Sequence, residues 1–254
     1  MKLARDTWLT LQYEAGQLVH SPVSIAISLL QPITYLLLFT PFLKSVMHQP
    51  SYSGAYAIYV PSLLAAMGIF SGMFAGFALI AAMRQGVIAR FRVTPLSRAG
   101  LLLGRELTFV LLVGFQAVVI IVVALIFGLR VPVPNMLLAL VMLSMMVLIG
   151  VSISYILTIF VPNQTVLANV TNGITGPLAL LAGVLIPLSV APLWVQDVAR
   201  WNPFAWGANG MRAVFGGHIG APVVWEASII LAGLATVAVV VSSRLFTREI
   251  ATDR

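Results

Sequence analysis

Six long, nearly charge-free apolar runs dictate what this chain can become. They lie near 23–43, 56–83, 101–129, 135–161, 165–187 and 222–243. Each is long enough to cross a hydrocarbon core, which requires about 20 helical residues. In water such runs would leave large apolar patches exposed, whereas in lipid a helix can be apolar on every side. Composition agrees: 60% of the 254 residues are hydrophobic and 8% charged, with a mean hydropathy of +1.04. A soluble domain carries about 25% charged residues. The expected class is an all-α membrane protein with six transmembrane helices, residues 1–254 forming one transmembrane domain.

An interfacial helix is expected before the first span, within 1–22. Ala4, Trp8, Leu11, Ala15 and Leu18 share one face of residues 3–20, with Arg5, Asp6, Gln12 and Gln17 off it. Ser21-Pro22 then opens the next helix. Asp6 and Glu14 interrupt the first 20 residues, so no secretory signal peptide is expected. Pro32, Pro41 and Pro61 fall in or near spans, where neighbouring helices can satisfy the freed carbonyls.

Charge sets the orientation. With six spans both termini share a side, and an inside N-terminus puts ten of the fourteen basic residues in cytoplasmic segments: Lys2, Arg5, Arg84, Arg90, Arg92, Arg98, Arg105, Arg244, Arg248 and Arg254. Lys44, Arg130, Arg200 and Arg212 fall outside. This bias is the positive-inside pattern, so the net charge of +7 points to topology and lipid headgroups, not nucleic acid. All five tryptophans, at 8, 194, 201, 206 and 225, lie at span ends or between spans.

Several function classes are disfavoured. The absence of cysteine excludes disulfides, thiolate metal sites and cysteine nucleophiles, and His20, His48 and His218 have no ligand-like spacing. No phosphate-binding glycine loop is present, and the only lysines are Lys2 and Lys44. An ion-coupled carrier would keep an ionisable residue deep in a span; Glu106 and Glu226 sit near span ends, where headgroup contact is the plainer reading. No nucleophile-and-base set marks an intramembrane enzyme. A membrane subunit driven by a separate protein remains, with a non-transporting scaffold as the competing class.

Two connections stand out. Segment 84–100, R-Q-G-V-I-A-R-F-R-V-T-P-L-S-R-A-G, is short and basic. Segment 188–221 lies outside yet is rich in apolar and aromatic residues, so short helices broken by Pro192 and Pro203 are expected to dip into the outer leaflet or dock on the bundle. These stretches carry a resemblance. The T-P-L-S-R turn and L-L-L-G-R entry within 84–105, and the P-L-W, N-P and late Arg-plus-Gly pattern within 183–217, resemble the permease subunits of type 2 ABC exporters, in particular the daunorubicin-resistance permease-like branch. One departure is the run Met83-Arg84-Gln85, where relatives often carry acidic residues.

The resemblance implies a permease that pairs with a second copy, identical or sister, in the cell (inner) membrane, while two cytoplasmic ABC subunits bind ATP and Mg. No cofactor is expected on this chain. Segment 84–100 would then act as a coupling helix, with Ile88 and Phe91 as apolar anchor, Arg84, Arg90 and Arg92 as polar rim, and Gly86 at its start. Fixing topology is the competing role for these arginines, and Arg98 and Arg105 are also candidates for lipid phosphate. The outer re-entrant motif would comprise Pro192, Trp194, Asn202, Pro203 and Arg212.

The resemblance also implies a path lined by the second and fifth spans. Met67, Phe70, Phe74 and Phe77 lie on one stripe of the second span, which ordinary packing or lipid contact would equally explain. In the fifth, Asn169, Asn172 and Gly176 are spaced i, i+3, i+7, with Thr171 and Thr175 beside them. Polar groups at that depth face protein or a wet cavity; helix–helix contact at Gly173 and Gly176 is the alternative. The expected cargo is an amphiphilic small molecule (an antibiotic, lipid or natural product), with a lipid-linked polysaccharide as the other candidate.

Overall fold

The computed structural model describes residues 2–46, 51–84, 97–161, 163–184, 188 and 191–252, and among them every regular element is helical. In chain order these are α1 (Lys2–Val19), α2 (Pro22–Val46), α3 (Tyr52–Met73), α4 (Ala75–Arg84) and α5 (Arg98–Ile126). There follow α6 (Val133–Phe160), α7 (Gln164–Leu181), α8 (Leu193–Ala199), α9 (Pro203–Phe215) and α10 (Pro222–Thr252).

Five segments are long and apolar enough to cross a membrane: Val23–Val46, Tyr52–Arg84, Arg98–Ile126, Val133–Phe160 and Pro222–Arg248. The stretch expected at 165–187 forms the 18-residue α7 and is not among the five. Its Gln164, Thr165, Asn169, Thr171, Asn172 and Thr175 lower its hydropathy, and residues 185–187 lie outside those described.

Helix ends follow local chemistry. Ser51, Ser97 and Asn163 cap α3, α5 and α7 by accepting the backbone N–H of Gly54, Gly100 and Val166. At the other end of α7, Gly183 has φ of +67°, and the Val184 N–H turns back to the Ala179 carbonyl at 3.3 Å. A left-handed residue is what this kind of helix stop requires, and glycine adopts it without a Cβ clash.

The core sits around α6, which packs against α3, α4, α5, α9 and α10. Met142, Leu143, Met146, Val147 and Val151 of α6 are fully enclosed. A Cβ on Gly72 would stand 2.9 Å from the Cα of Gly150, so the α3 and α6 backbones touch where both residues lack a side chain. By contrast α2 keeps Val23, Ile27, Leu30, Leu38 and Phe42 exposed, an apolar surface suited to lipid.

Helix α1 packs along α5, but through a different face from the one its apolar residues suggest. Asp6 and Thr10 are buried, at 5% and 3% exposure, while Trp8 and Leu9 remain exposed. Small residues on α5 permit this approach: a Cβ on Gly104 would meet the Cβ of Thr10 at 2.5 Å. The polar face therefore clasps the bundle, leaving the Trp8 side free for the membrane.

Candidate transport and coupling site

The stretch read as the second span is broken at Phe74, not at Pro61, which lies inside α3. The cause is a hydroxyl from α6. Ser154 Oγ donates to the Met73 carbonyl at 2.5 Å and accepts the Gly76 N–H at 2.8 Å. It thus enters the backbone ladder and satisfies both groups that the break frees. A Cβ on Gly76 would stand 2.7 Å from this oxygen, so the arrangement depends on glycine. Below the break, α4 ends at the exposed Arg84, where the basic connection begins. Gly86, Ile88, Arg90, Phe91 and Arg92 lie outside the described residues.

The described chain resumes at Ser97, and α1 holds that point. Asp6 Oδ2 accepts the Ser97 N–H at 2.8 Å, and this backbone bond is the main reason its carboxyl titrates below the ordinary 3.8. The carboxylate also sits at the positive end of α5. Two turns further along α1, Glu14 Oε1 receives Arg105 Nε and Nη2, both at 2.9 Å. Arg105, one of the lipid-phosphate candidates, is thus paired inside the protein and only 8% exposed. The other, Arg98, is half-buried, and its Nη1 donates to the Thr247 carbonyl of α10 at 3.3 Å.

Glu106 departs further from its expected place among headgroups. It is fully buried, and its Oε1 accepts the hydroxyls of Ser152 on α6 at 3.1 Å and Ser242 on α10 at 3.0 Å. Oε2 has no hydrogen-bond partner among the described residues. One carboxyl therefore ties three helices, enclosed in the protein interior where an uncompensated charge is costly. Sequence position alone gave no sign of this, because distance from a span end says nothing about which way a side chain turns. Glu226, by comparison, is exposed.

At the opposite end, Asn202 and Arg212 join separate elements. Asn202 caps α9 by accepting the Phe204 N–H at 3.0 Å, and its amide donates to the Leu178 carbonyl of α7 at 2.8 Å. Pro203 follows at the first turn, where its missing N–H is harmless. Arg212 donates from Nε to Ser62 on α3 at 3.1 Å, from Nη1 to Asn209 at 2.8 Å, and from Nη2 to the Gly183 carbonyl. Its planar fork spans three directions that a lysine could not. Pro192 and Trp194 lie apart from this junction, exposed at the start of α8.

The residues expected to line a path divide by face. Phe70 is 45% exposed on α3, and Phe74 stacks on Phe77 with ring centroids 5.6 Å apart. Met67, on the same expected stripe, is buried. On α7, Asn169 and Asn172 are exposed, whereas Thr171 and Thr175 turn into the bundle with hydroxyls that have no partner among the described residues. Gly173 and Gly176 share the open side, and a Cβ on either would meet nothing within 4 Å. Helix α7 packs on α3 and α4, so its outward face combines amides with small residues.

Comparison with known proteins gives this arrangement a family. The family model for the ABC-2 type transporter matches residues 5–215. The chain belongs to the ABC-2 type transporter family. It is accordingly an integral membrane permease, the transport subunit of an ABC system.

Among similar proteins is the daunorubicin resistance ABC transporter permease protein DrrB1 of Streptomyces coeruleorubidus. It is 24% identical over 237 residues, covering 89% of this chain and 81% of the relative. Two relatives bear the name "Putative transport permease ycf38", from Cyanophora paradoxa and Porphyra purpurea. Each is 23% identical over 203 residues, covering 78% of this chain and 70% of the relative. The ABC-2 match runs from within α1 to the end of α9, including both the Ser154 break and the Arg212 junction.

Proposed function

We propose that this permease exports an amphiphilic small molecule, such as a drug, lipid or natural product, using ATP hydrolysed by a separate subunit. The observation that carries this reading is the outward face of α7. Asn169, Asn172, Gly173 and Gly176 set amides and bare backbone among the exposed Ile174 and Leu180, a mixed surface whose amides lipid alone would not satisfy. A second permease copy, identical or sister, would cover it. The cleft between the copies, walled by these amides and by Phe70, Phe74 and Phe77, would form the path. Soft aromatic walls with a few amides suit amphiphiles, and the similarity to a daunorubicin resistance permease supports the same cargo class.

On this reading α7 is the fifth of six spans, α8 and α9 are outer re-entrant helices, and both termini face the cytoplasm of the cell membrane. Segment 84–100 docks on the ATPase, two copies of which hold the ATP and Mg. Helix α4 lies between the Ser154 break and the start of that segment, so a push there would swing α4 first. The decisive experiment is reconstitution with the cognate ATPase: cargo should stimulate ATP hydrolysis and accumulate on the outer side. Cargo movement by the permease alone, or an outward-facing 84–100 segment, would defeat the reading.

A further inference from the structure

A cavity of about 410 Å³ opens between α1, α4, α5 and α6, within the size range of small-ligand sites, about 300–1,000 Å³. One wall carries Glu14 and Arg105; the other is apolar, formed by Ala78, Ala81 and Phe109, with Tyr155 also lining the cavity. We propose that this cavity binds the headgroup of a zwitterionic amphiphile, one that carries a primary ammonium beside a phosphate.

The ion pair is only half used within the protein. Both Arg105 contacts converge on Glu14 Oε1, leaving Arg105 Nη1 and Glu14 Oε2 without a hydrogen bond to a described residue. A neutral pair with N–H groups to spare on the guanidinium and an unused carboxylate oxygen matches a ligand that presents an anion and a cation together. The phosphate takes Arg105 Nη1 and the ammonium takes Glu14 Oε2, in charge-assisted hydrogen bonds. A lone anion would face the carboxylate and a lone cation the guanidinium. A quaternary ammonium has no N–H for Glu14 to accept. Tyr155, 1% exposed, forms no hydrogen bond among the described residues and lies within electrostatic reach of both charges. Its hydroxyl is available to a phosphate oxygen.

Depth fits as well. Arg105 is seven residues past the start of α5, about 10 Å along the axis. A centred 29-residue helix of about 43 Å exceeds a core of about 30 Å by about 6 Å at each end. The pair therefore sits close to the boundary between headgroups and acyl chains, while Phe109, one turn further along α5, lies inward of it to receive a tail.

The site is tested on the purified permease alone, without ATPase or nucleotide, so its failure is separate from failure of the export reading. Equimolar phosphatidylethanolamine, phosphatidylcholine and phosphatidylglycerol are offered in mixed vesicles, and retained lipid is counted by native mass spectrometry. Phosphatidylethanolamine should be enriched about tenfold over the other two, the ratio expected for about 1.4 kcal/mol of extra binding. Ala81→Trp fills the cavity without touching the ion pair and should abolish the excess; Glu14→Gln should reduce it to the level of phosphatidylcholine. Equal retention of all three lipids by the wild type, or an excess that survives Ala81→Trp, would overturn the proposal. Adding ATPase and ATP then identifies the source: occupancy that falls marks a cargo and occupancy that persists marks a resident lipid, and both uphold the site.

Discussion

The hydroxyl of Ser154 lies 2.8 Å from the backbone nitrogen of Gly76, and it donates its own proton to the carbonyl of Met73. One side chain on the central helix thereby sets the break in its neighbour, with the ten-residue α4 between that break and the start of the basic connection.

Ser154→Ala should leave the Met73 carbonyl and the Gly76 N–H buried and unpaired. Each lost partner costs about 1–3 kcal/mol, so a lowered thermal midpoint in detergent is expected, together with weakened coupling of ATP hydrolysis to cargo. A variant with unchanged midpoint and unchanged coupling would show that the break needs no support from α6.

Asn172→Leu and Gly176→Leu separate the two roles of the α7 face. The leucine at 172 should change which amphiphiles stimulate the reconstituted ATPase, with the permease dimer intact. A Cβ at 176 has no other atom of the chain within 4 Å beyond its own helix turn, so folding of Gly176→Leu should survive while the dimer is lost on size-exclusion chromatography. Loss of the dimer at 172 with an unaltered cargo profile would assign the amides to helix contact.

Charge reversal at Arg90 and Arg92 should weaken co-purification with the ATPase and uncouple its activity from cargo, with membrane insertion unaffected. Undiminished association and transport would remove segment 84–100 from the docking surface.

Asp6 gives a pH dependence with a definite sign. Its folded-state pKa lies below 3.8 because the Ser97 N–H stabilises the carboxylate. The contribution is therefore fully present above the unfolded value and is lost as pH falls through the folded one. Asp6→Ala should lower the thermal midpoint at pH 7, and the gap to wild type should close as the medium is acidified below 3.8. A gap independent of pH would mean that packing against Gly100, rather than charge, holds α1 in place.

Much of this architecture was legible in the residues themselves. Apolar runs placed the long helices, Ser21-Pro22 marked the start of α2, and Pro192 and Pro203 marked α8 and α9. Asn202, Pro203 and Arg212 were singled out by motif, although nothing in the spacing showed that Asn202 reaches α7, or that Arg212 reaches the turn after α7 and Ser62 of α3. Thr175 and Asn172, read as one polar set, turned out to face opposite ways.

The limit has a physical origin. Apolar content determined that the chain inserts in a membrane and where its helices run, because the cost of burying polar groups in lipid is read residue by residue. Rotation about each helix axis is another matter. Lipid and protein interior are equally apolar, so hydropathy does not distinguish the side facing a neighbour from the side facing lipid. Only the packed bundle decided that Glu106 ties α5 to α6 and α10, that α1 clasps α5 through Asp6 rather than Trp8, and that Ser154 breaks the second span. Each depends on a partner far away in the chain, and close backbone approach, at Gly72 against Gly150 and Gly104 against Thr10, is what brought those partners within reach.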